Sequence, residues 1–324
     1  MVMDKNIENY SVEELVTAED VVSSQEEIVS GTRHATRYLF ILAGIIVVGL
    51  IVYLLLPNAE IDILKRELNS DNHRFYWMLL VGFLAEVVAG SMGMGYGVMC
   101  TTILLILNVP PAFVSASIHS AESFTSAAGT ISHFKLGNVN KKLMTALAIP
   151  AVIGAVIGAL SLSFLGEHYA KLTKPFIAAY TLYLGVRILQ NAFVKKNANG
   201  AIIKKHTNIT ALGLVGGFID SFGGGGWGPL VTGTFIKNGR TPRYVIGSST
   251  AAKCILTVAS AITFIYTIGI HHWNIVAGLL IGGIVTAPFS AMLTAKLPVK
   301  KMYVVVGVVV IICSLISFYR AVFL

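Results

Sequence analysis

Apolar residues run through this chain in long blocks, separated by short polar or glycine-rich breaks. The first block, 38–57, has the roughly 20 residues that an α-helix needs to cross a bilayer. Residues 58–74 are polar and mixed in charge, which predicts a connecting segment. Further blocks lie at 75–92, 97–109, 112–134, 143–165, 176–193, 209–222, 228–236, 244–270, 275–295 and 302–320. Most are long enough to span as helices. Segments 97–109 and 228–236 are not: at 1.5 Å per residue they reach about 14–20 Å, against a hydrocarbon core of about 30 Å. Each of the two begins where a cluster of glycines ends, and short, glycine-interrupted apolar segments at matching places in two halves mark the binding sites of transporters.

The two halves do match. A shift of 131 positions pairs Gly93, Gly95 and Gly97 with Gly224, Gly226 and Gly228, and Tyr96 with Trp227. It also aligns Pro111 with Pro242, Val114 with Val245, Ser117 with Ser248 and Ala121 with Ala252. The shared glycine spacing and proline point to an internal repeat. Basic residues then set its handedness. The connection near 108–112 has no charge while 135–142 holds Lys135, Lys141 and Lys142; in the second half 237–243 holds Lys237, Arg240 and Arg243 while 271–274 has no Lys or Arg. Equivalent loops with opposite positive charge predict repeats of inverted topology. The expected fold is an all-α polytopic membrane protein of two inverted repeats with glycine-rich broken or re-entrant helices, plus one extra N-terminal transmembrane helix.

This divides the chain into an acidic cytoplasmic tail (1–37), an extra span (38–57), membrane repeat one (75–194), a basic cytoplasmic linker (195–206) and membrane repeat two (207–324). Charge counting places the N-terminus in the cytoplasm and the C-terminus outside the cell membrane. The late start of the first apolar block predicts a retained helix rather than a cleaved leader.

Composition agrees with that class. Of 324 residues 55% are hydrophobic and 12% charged, with a mean hydropathy of +0.75, whereas a soluble domain carries about 25% charged residues. Eight of the 16 acidic residues fall within the first 37 positions. The net charge of +8 resides in short clusters between apolar blocks, the pattern of cytoplasmic loops rather than of a nucleic-acid face. Cys100, Cys254 and Cys313 sit in apolar stretches without metal-ligand spacing, so neither disulfide, metal nor cofactor is expected.

The two glycine segments read GSMGMGYG (Gly90–Gly97) and DSFGGGGWGPL (Asp220–Leu230), and the second continues through Thr241-Pro242 and Gly247-Ser248-Ser249-Thr250-Ala251. With the inverted halves, over roughly 78–320, this resembles the TauE/SafE family of membrane permeases. The first segment departs from that pattern, with Met92 and Met94 in place of glycines and Val98 in place of proline. The resemblance implies secondary transport of small anions such as sulfite, sulfonates or related organic acids, usually as export.

If the tips reach the middle of the membrane, the helices starting near Gly97 and Gly228 aim their N-termini at one volume. Backbone N–H groups and the positive dipole end there make an anion site. The candidate substrate-binding residues are therefore Gly93, Gly95, Tyr96 and Gly97 at one tip and Gly224, Gly225, Gly226, Trp227 and Gly228 at the other. Tight helix packing is the alternative for the glycines, as for Gly154 and Gly158 or Gly278 and Gly282; interfacial anchoring is the alternative for Tyr96 and Trp227.

The helices after the tips add Ser117, His119, Ser248, Ser249 and Lys253. The 131 shift makes Glu122 and Lys253 symmetry equivalents, close enough to an axis to form an ion pair. Lys253 could attract the anion, and Glu122 or His119 could take up a coupled proton. Asp220 either caps the glycine turn or lies near a membrane face. The expected partners are a small anion and the bilayer, with no nucleic acid; a homo-oligomer is left open. A passive anion channel and a membrane sensor with a regulatory acidic tail are the other readings. An intramembrane enzyme lacks every motif that would mark it.

Overall fold

A computed structural model describes residues 58–193, 207–269, 272–293 and 299–323. The acidic tail, the first apolar block and the basic linker fall outside the described residues. The chain divides into two compact units, Met1–Ile61 and Asp62–Leu324; of the first, only the start of a helix is described, and all other described residues belong to the second.

The described elements are all helical, in the order α1 (Asn58–Met92), α2 (Tyr96–Ile106), α3 (Pro111–Lys135), α4 (Lys141–His168), α5 (Ala170–Asn191), α6 (Ile209–Gly223), a π-helical turn (Gly228–Thr232), α7 (Gly233–Lys237), α8 (Pro242–Ile268), α9 (Trp273–Leu293) and α10 (Val299–Phe323). The starts follow local chemistry. Pro111 and Pro242 open α3 and α8 at the position where a missing N–H costs nothing. The side chains of Asn140 and Asn208 cap α4 and α6 by accepting from Leu143 N and Ala211 N, both at 3.1 Å.

Two expectations change. Residues 58–74 are not a loop but the first turns of α1; their Glu, Leu, Lys, Arg and Ile are good or adequate helix formers whatever their polarity. The gap between blocks 143–165 and 176–193 contracts to Tyr169, where α4 stops and α5 begins, so Pro175 sits in the early turns of α5.

Among the described residues, three helical stretches are long and apolar enough to cross a membrane: Lys141–Gly166, Pro242–Ile268 and Lys300–Phe323. Their exposed faces carry large apolar side chains at helical spacing, including Ile149, Ile153, Ile157, Leu160 and Phe164 on α4 and Val305, Val309, Ile312 and Ile316 on α10. Hydroxyls turn inward. Ser163 meets Thr267 at 2.8 Å between α4 and α8, and Ser314 donates to Thr181 at 2.9 Å between α10 and α5. Short hydroxyl side chains let helices approach while keeping their polar atoms paired where water is excluded.

Glycine sets the closest approaches. A methyl on Gly278 of α9 would lie 2.6 Å from Phe75 O and 2.7 Å from Met78 Cβ of α1. A methyl on Gly213 of α6 would press as tightly on α4, 2.9 Å from the Pro150 ring and 3.0 Å from Leu147 O. Gly154, Gly158 and Gly217 make the same kind of contact along the α4–α6 seam, as packing glycines should.

The loops gather at two ends. Arg243 donates to Asn138 Oδ1 at 2.5 Å and to Leu136 O at 2.9 Å, joining the basic segment before α8 to the α3–α4 loop. At the other end Lys174 donates to Asn108 Oδ1 and Arg320 to Ile106 O, both at 2.6 Å.

Replacing Gly278 by Ala forces α9 off α1 and should cost about 1–3 kcal/mol in unfolding experiments on the detergent-solubilised protein. Gly129→Ala, whose new methyl would meet only Thr250 Cγ2 at 3.5 Å, should be neutral or stabilising by up to about 1 kcal/mol.

Candidate functional site

Both glycine clusters break a helix. At the first, α1 ends at Met92, the backbone turns left-handed at Gly93 (φ 69°) and Gly95 (φ 114°), and α2 starts at Tyr96. At the second, α6 gives way to Gly224 (φ 69°) and an extended Gly225-Gly226, and the π-helical turn begins at Gly228. Left-handed φ at these positions is open to glycine at little cost and strained for other residues.

The two tips touch. A Cβ on Gly97 would sit 2.6 Å from Gly224 O, and one on Gly225 would sit 2.5 Å from Val98 N. Gly228 lies as close to Met94, whose Cα is 2.6 Å from where its Cβ would be. Backbone therefore meets backbone, and the start of α2 and the start of the π-helical turn lie at one buried locus. The close-packing alternative holds for Gly97, Gly225 and Gly228 at the least. Among the tip residues only Gly93 is partly exposed.

Side chains from three directions satisfy the broken backbone. Thr101 of α2 donates to Gly224 O at 2.7 Å, and Tyr180 of α5 donates to Gly225 O at 2.9 Å. Asp220 Oδ1 accepts from Trp227 N at 2.7 Å, so the acidic residue caps the turn and is wholly buried. One of the N–H groups expected to face an anion is thus held by a carboxylate of the chain itself.

Tyr96 and Trp227 are interior residues, 0% and 1% exposed, and not interfacial anchors. The Trp227 indole donates to Ser249 Oγ at 2.8 Å and to Ser249 O at 3.1 Å, and Thr232 shares a hydrogen bond with the same hydroxyl at 2.7 Å. The Tyr96 hydroxyl donates to Leu279 O of α9 at 3.2 Å.

Next to the tips, α3 and α8 face each other. Lys253 forms an ion pair with Glu122, and Ser126 meets Thr257 at 3.3 Å; residue numbers in both pairs differ by 131. Glu86 of α1 is also buried, at 7% exposure. His119, wholly buried, places Nε2 3.5 Å from Asp220 Oδ2.

Ser117 and Ser248 lie elsewhere. The Ser248 hydroxyl accepts from Asn140 N at 2.8 Å and donates to Tyr244 O at 2.6 Å, which anchors the α3–α4 loop. Ser117 lines a recess with Ser120, Phe113 and His272, of about 10 Å³, room for about one water. Sequence reasoning passed over Ser115, Ser221 and Ser260, which bond in series beneath His119: Ser115 donates to Ser221 O at 2.6 Å and Ser221 Oγ meets Ser260 Oγ at 2.5 Å. It also passed over the two tip donors, Thr101 and Tyr180. Nothing local distinguishes these hydroxyls from packing residues, because their partners are distant in sequence.

A buried ion pair that loses one member leaves an uncompensated charge. Lys253→Met should therefore destabilise the protein by about 3–5 kcal/mol, and adding Glu122→Leu should recover most of the loss. Unfolding titrations of the two variants and wild type provide the comparison.

Known proteins place this arrangement. The family model described as sulfite exporter TauE/SafE matches residues 78–316, from within α1 to within α10. The chain is 37% identical over 242 residues to the probable membrane transporter protein YtnM of Bacillus subtilis (strain 168), covering 72% of this chain and 79% of that one. It is 25% identical over 226 residues to the probable membrane transporter protein YdhB of the same organism, covering 68% of this chain and 91% of that one. A probable membrane transporter protein of Haemophilus influenzae (strain ATCC 51907 / DSM 11121 / KW20 / Rd) is 26% identical over 246 residues, 69% of this chain and 90% of that one. No solved structure is a significant match. With the match running through both glycine tips and the helices that flank them, the chain belongs to the sulfite exporter TauE/SafE family.

Proposed function

We propose that this membrane protein is a secondary transporter that exports small anions such as sulfite, sulfonates or related organic acids. The observation that carries the reading is the meeting of two broken helices at one buried locus, where backbone N–H groups and helix N-termini can face an anion without a fixed cation. Family membership supplies the substrate class.

The anion binds between the tips, near the membrane midplane, against Gly95–Gly97 and Gly226–Gly228 with Trp227 as one wall. Ser249 orients that wall through the indole N–H. Lys253 contributes positive potential, tempered by its pairing with Glu122.

Two inverted repeats, 75–194 and 207–324, move against each other to expose the site to one side and then the other. Three observations support this arrangement. Residues separated by 131 positions meet at the α3–α8 contact, as they would on a pseudo-two-fold axis. The glycine-lined α1–α9 seam is the counterpart of the α6–α4 seam. The basic loops 135–142 and 237–243 come together at one end, as inversion of the second repeat requires. By the positive-inside rule that end faces the cytoplasm.

The test is anion-evoked current from purified protein in liposomes on a solid-supported membrane, with sulfite, thiosulfate, sulfonates, acetate and lactate as the panel. A saturating response to one chemical class is expected, lost in Gly97→Ala, where the added methyl wedges the tips apart. Silence across the panel from folded protein would sink the substrate class. Flux that rises without saturation for every anion alike would instead mark a passive channel.

A further inference from the structure

The hydrogen bonds around His119 fix which ring nitrogen carries its hydrogen. Ser115 Oγ gives its one proton to Ser221 O at 2.6 Å, so toward His119 Nδ1, 3.2 Å away, it can only accept. Ser115 O, 2.8 Å from the same nitrogen, is a carbonyl and also only accepts. Nδ1 therefore bears a hydrogen. In a neutral ring, Nε2 is then a bare lone pair, and it points at Asp220 Oδ2 from 3.5 Å. Both atoms are buried, and neither has a hydrogen-bond partner among the described residues. Two lone pairs opposed in a buried interior repel each other, and one proton between them replaces that repulsion by a charge-assisted hydrogen bond.

From this geometry we infer that His119 and Asp220 form a binding site for a single proton, and that filling it prepares the second glycine tip for an anion. The second half of the inference rests on the anion-carrier reading; the first half stands without it.

The link between proton and anion is Asp220 itself. Its Oδ1 holds Trp227 N–H at 2.7 Å, at the tip where the anion would dock. An ionised carboxylate there competes with the anion for the same donor and repels it as well. Once the pair has its proton, Asp220 releases that donor more readily and the local negative charge falls by one. The surroundings sharpen the requirement. Glu122 lies one turn along α3 from His119 and is paired with Lys253 of α8, and Glu86 comes from α1. Tyr180 of α5 lies in the field of Asp220, and Tyr96 and Cys100 of α2 lie in that of Glu86 and Glu122. With Glu122 paired to Lys253, the charge on Asp220 is the one left to repel an incoming anion, and a proton entering with the anion removes that repulsion. A proton travelling with a divalent anion still leaves one net negative charge moving, so a potential negative inside the cell favours export.

Two readouts test this. The first is nitrogen NMR of histidine-labelled protein in lipid, with the His119 signals assigned by their loss in His119→Gln or, should that variant not fold, by their change in Asp220→Asn. Expected is an Nδ1 protonated throughout, with an Nε2 signal that moves with pH in the wild type and is fixed as a neutral acceptor in Asp220→Asn, whose amide can donate to it. A wild-type ring bare at Nδ1 and protonated at Nε2 would overturn the proton site. The second is proton uptake on adding ethanesulfonate, which does not buffer, to protein in weakly buffered solution. About one proton per bound anion is expected in the wild type and none in Asp220→Asn. Binding without proton uptake would overturn the link. Failure of ethanesulfonate to bind at all counts against the substrate class, and the NMR result then decides the proton site alone.

Discussion

A bilayer offers no hydrogen-bond partner to an unwound backbone, and this molecule unwinds two helices in the family's membrane domain. Every feature around the tips answers that constraint. The carbonyls of Gly224 and Gly225 are satisfied by hydroxyls from α2 and α5. The amide of Trp227 is satisfied by a carboxylate from the end of α6. Since these donors and acceptors come from both halves of the chain, the second tip is held by both, and the helices that supply them cannot be placed independently. Close packing arises from the same need. With no side chain between them, Gly97 and Gly225 let one broken helix lie on the backbone of the other.

Burying Asp220 at the tip brings an electrostatic cost that the surrounding residues distribute. Glu122 is paired with Lys253 on the facing helix, and Asp220 has a backbone amide on one oxygen and an imidazole near the other. The second contact is the less complete of the two, and it is the one that a change in protonation would alter. Chemistry and stability are thus separated within a few residues: the α3–α8 ion pair ties two helices together, while the α3–α6 contact stands beside the broken backbone.

Much of this was legible in the sequence, because lipid imposes length and polarity on a helix. Block 112–134 became Pro111–Lys135, and block 209–222 became Ile209–Gly223. The glycine breaks fell where their clusters stand. The proximity of Glu122 and Lys253 was readable from the 131 shift, which pairs the two positions as equivalents. His119 and Asp220 have no such relation, and a lone carboxylate before a glycine run fits a turn cap as well as a membrane face. The polar start of α1 misled for a different reason. Polarity says where a segment may sit, whereas helix formation depends on backbone and rotamer freedom, and Glu, Lys, Arg and Leu lose little of either in a helix. The serines beneath His119 were hidden because a hydroxyl declares its role only through its partner.

On the proposed inverted-repeat architecture, the charges at the α3–α8 contact have a consequence for the chain's history and for its redesign. At a two-fold axis a residue faces its own copy, so a homodimer of one repeat could place only Glu against Glu or Lys against Lys at this point. Opposite charges at positions 122 and 253 become available only when both halves lie in one polypeptide and can diverge. On the two-repeat reading, cutting the chain between 195 and 206 would leave two fragments that attract each other, while each on its own would be discouraged from self-pairing by like charge. The ion pair that locks the two halves together therefore also makes each half prefer the other to itself.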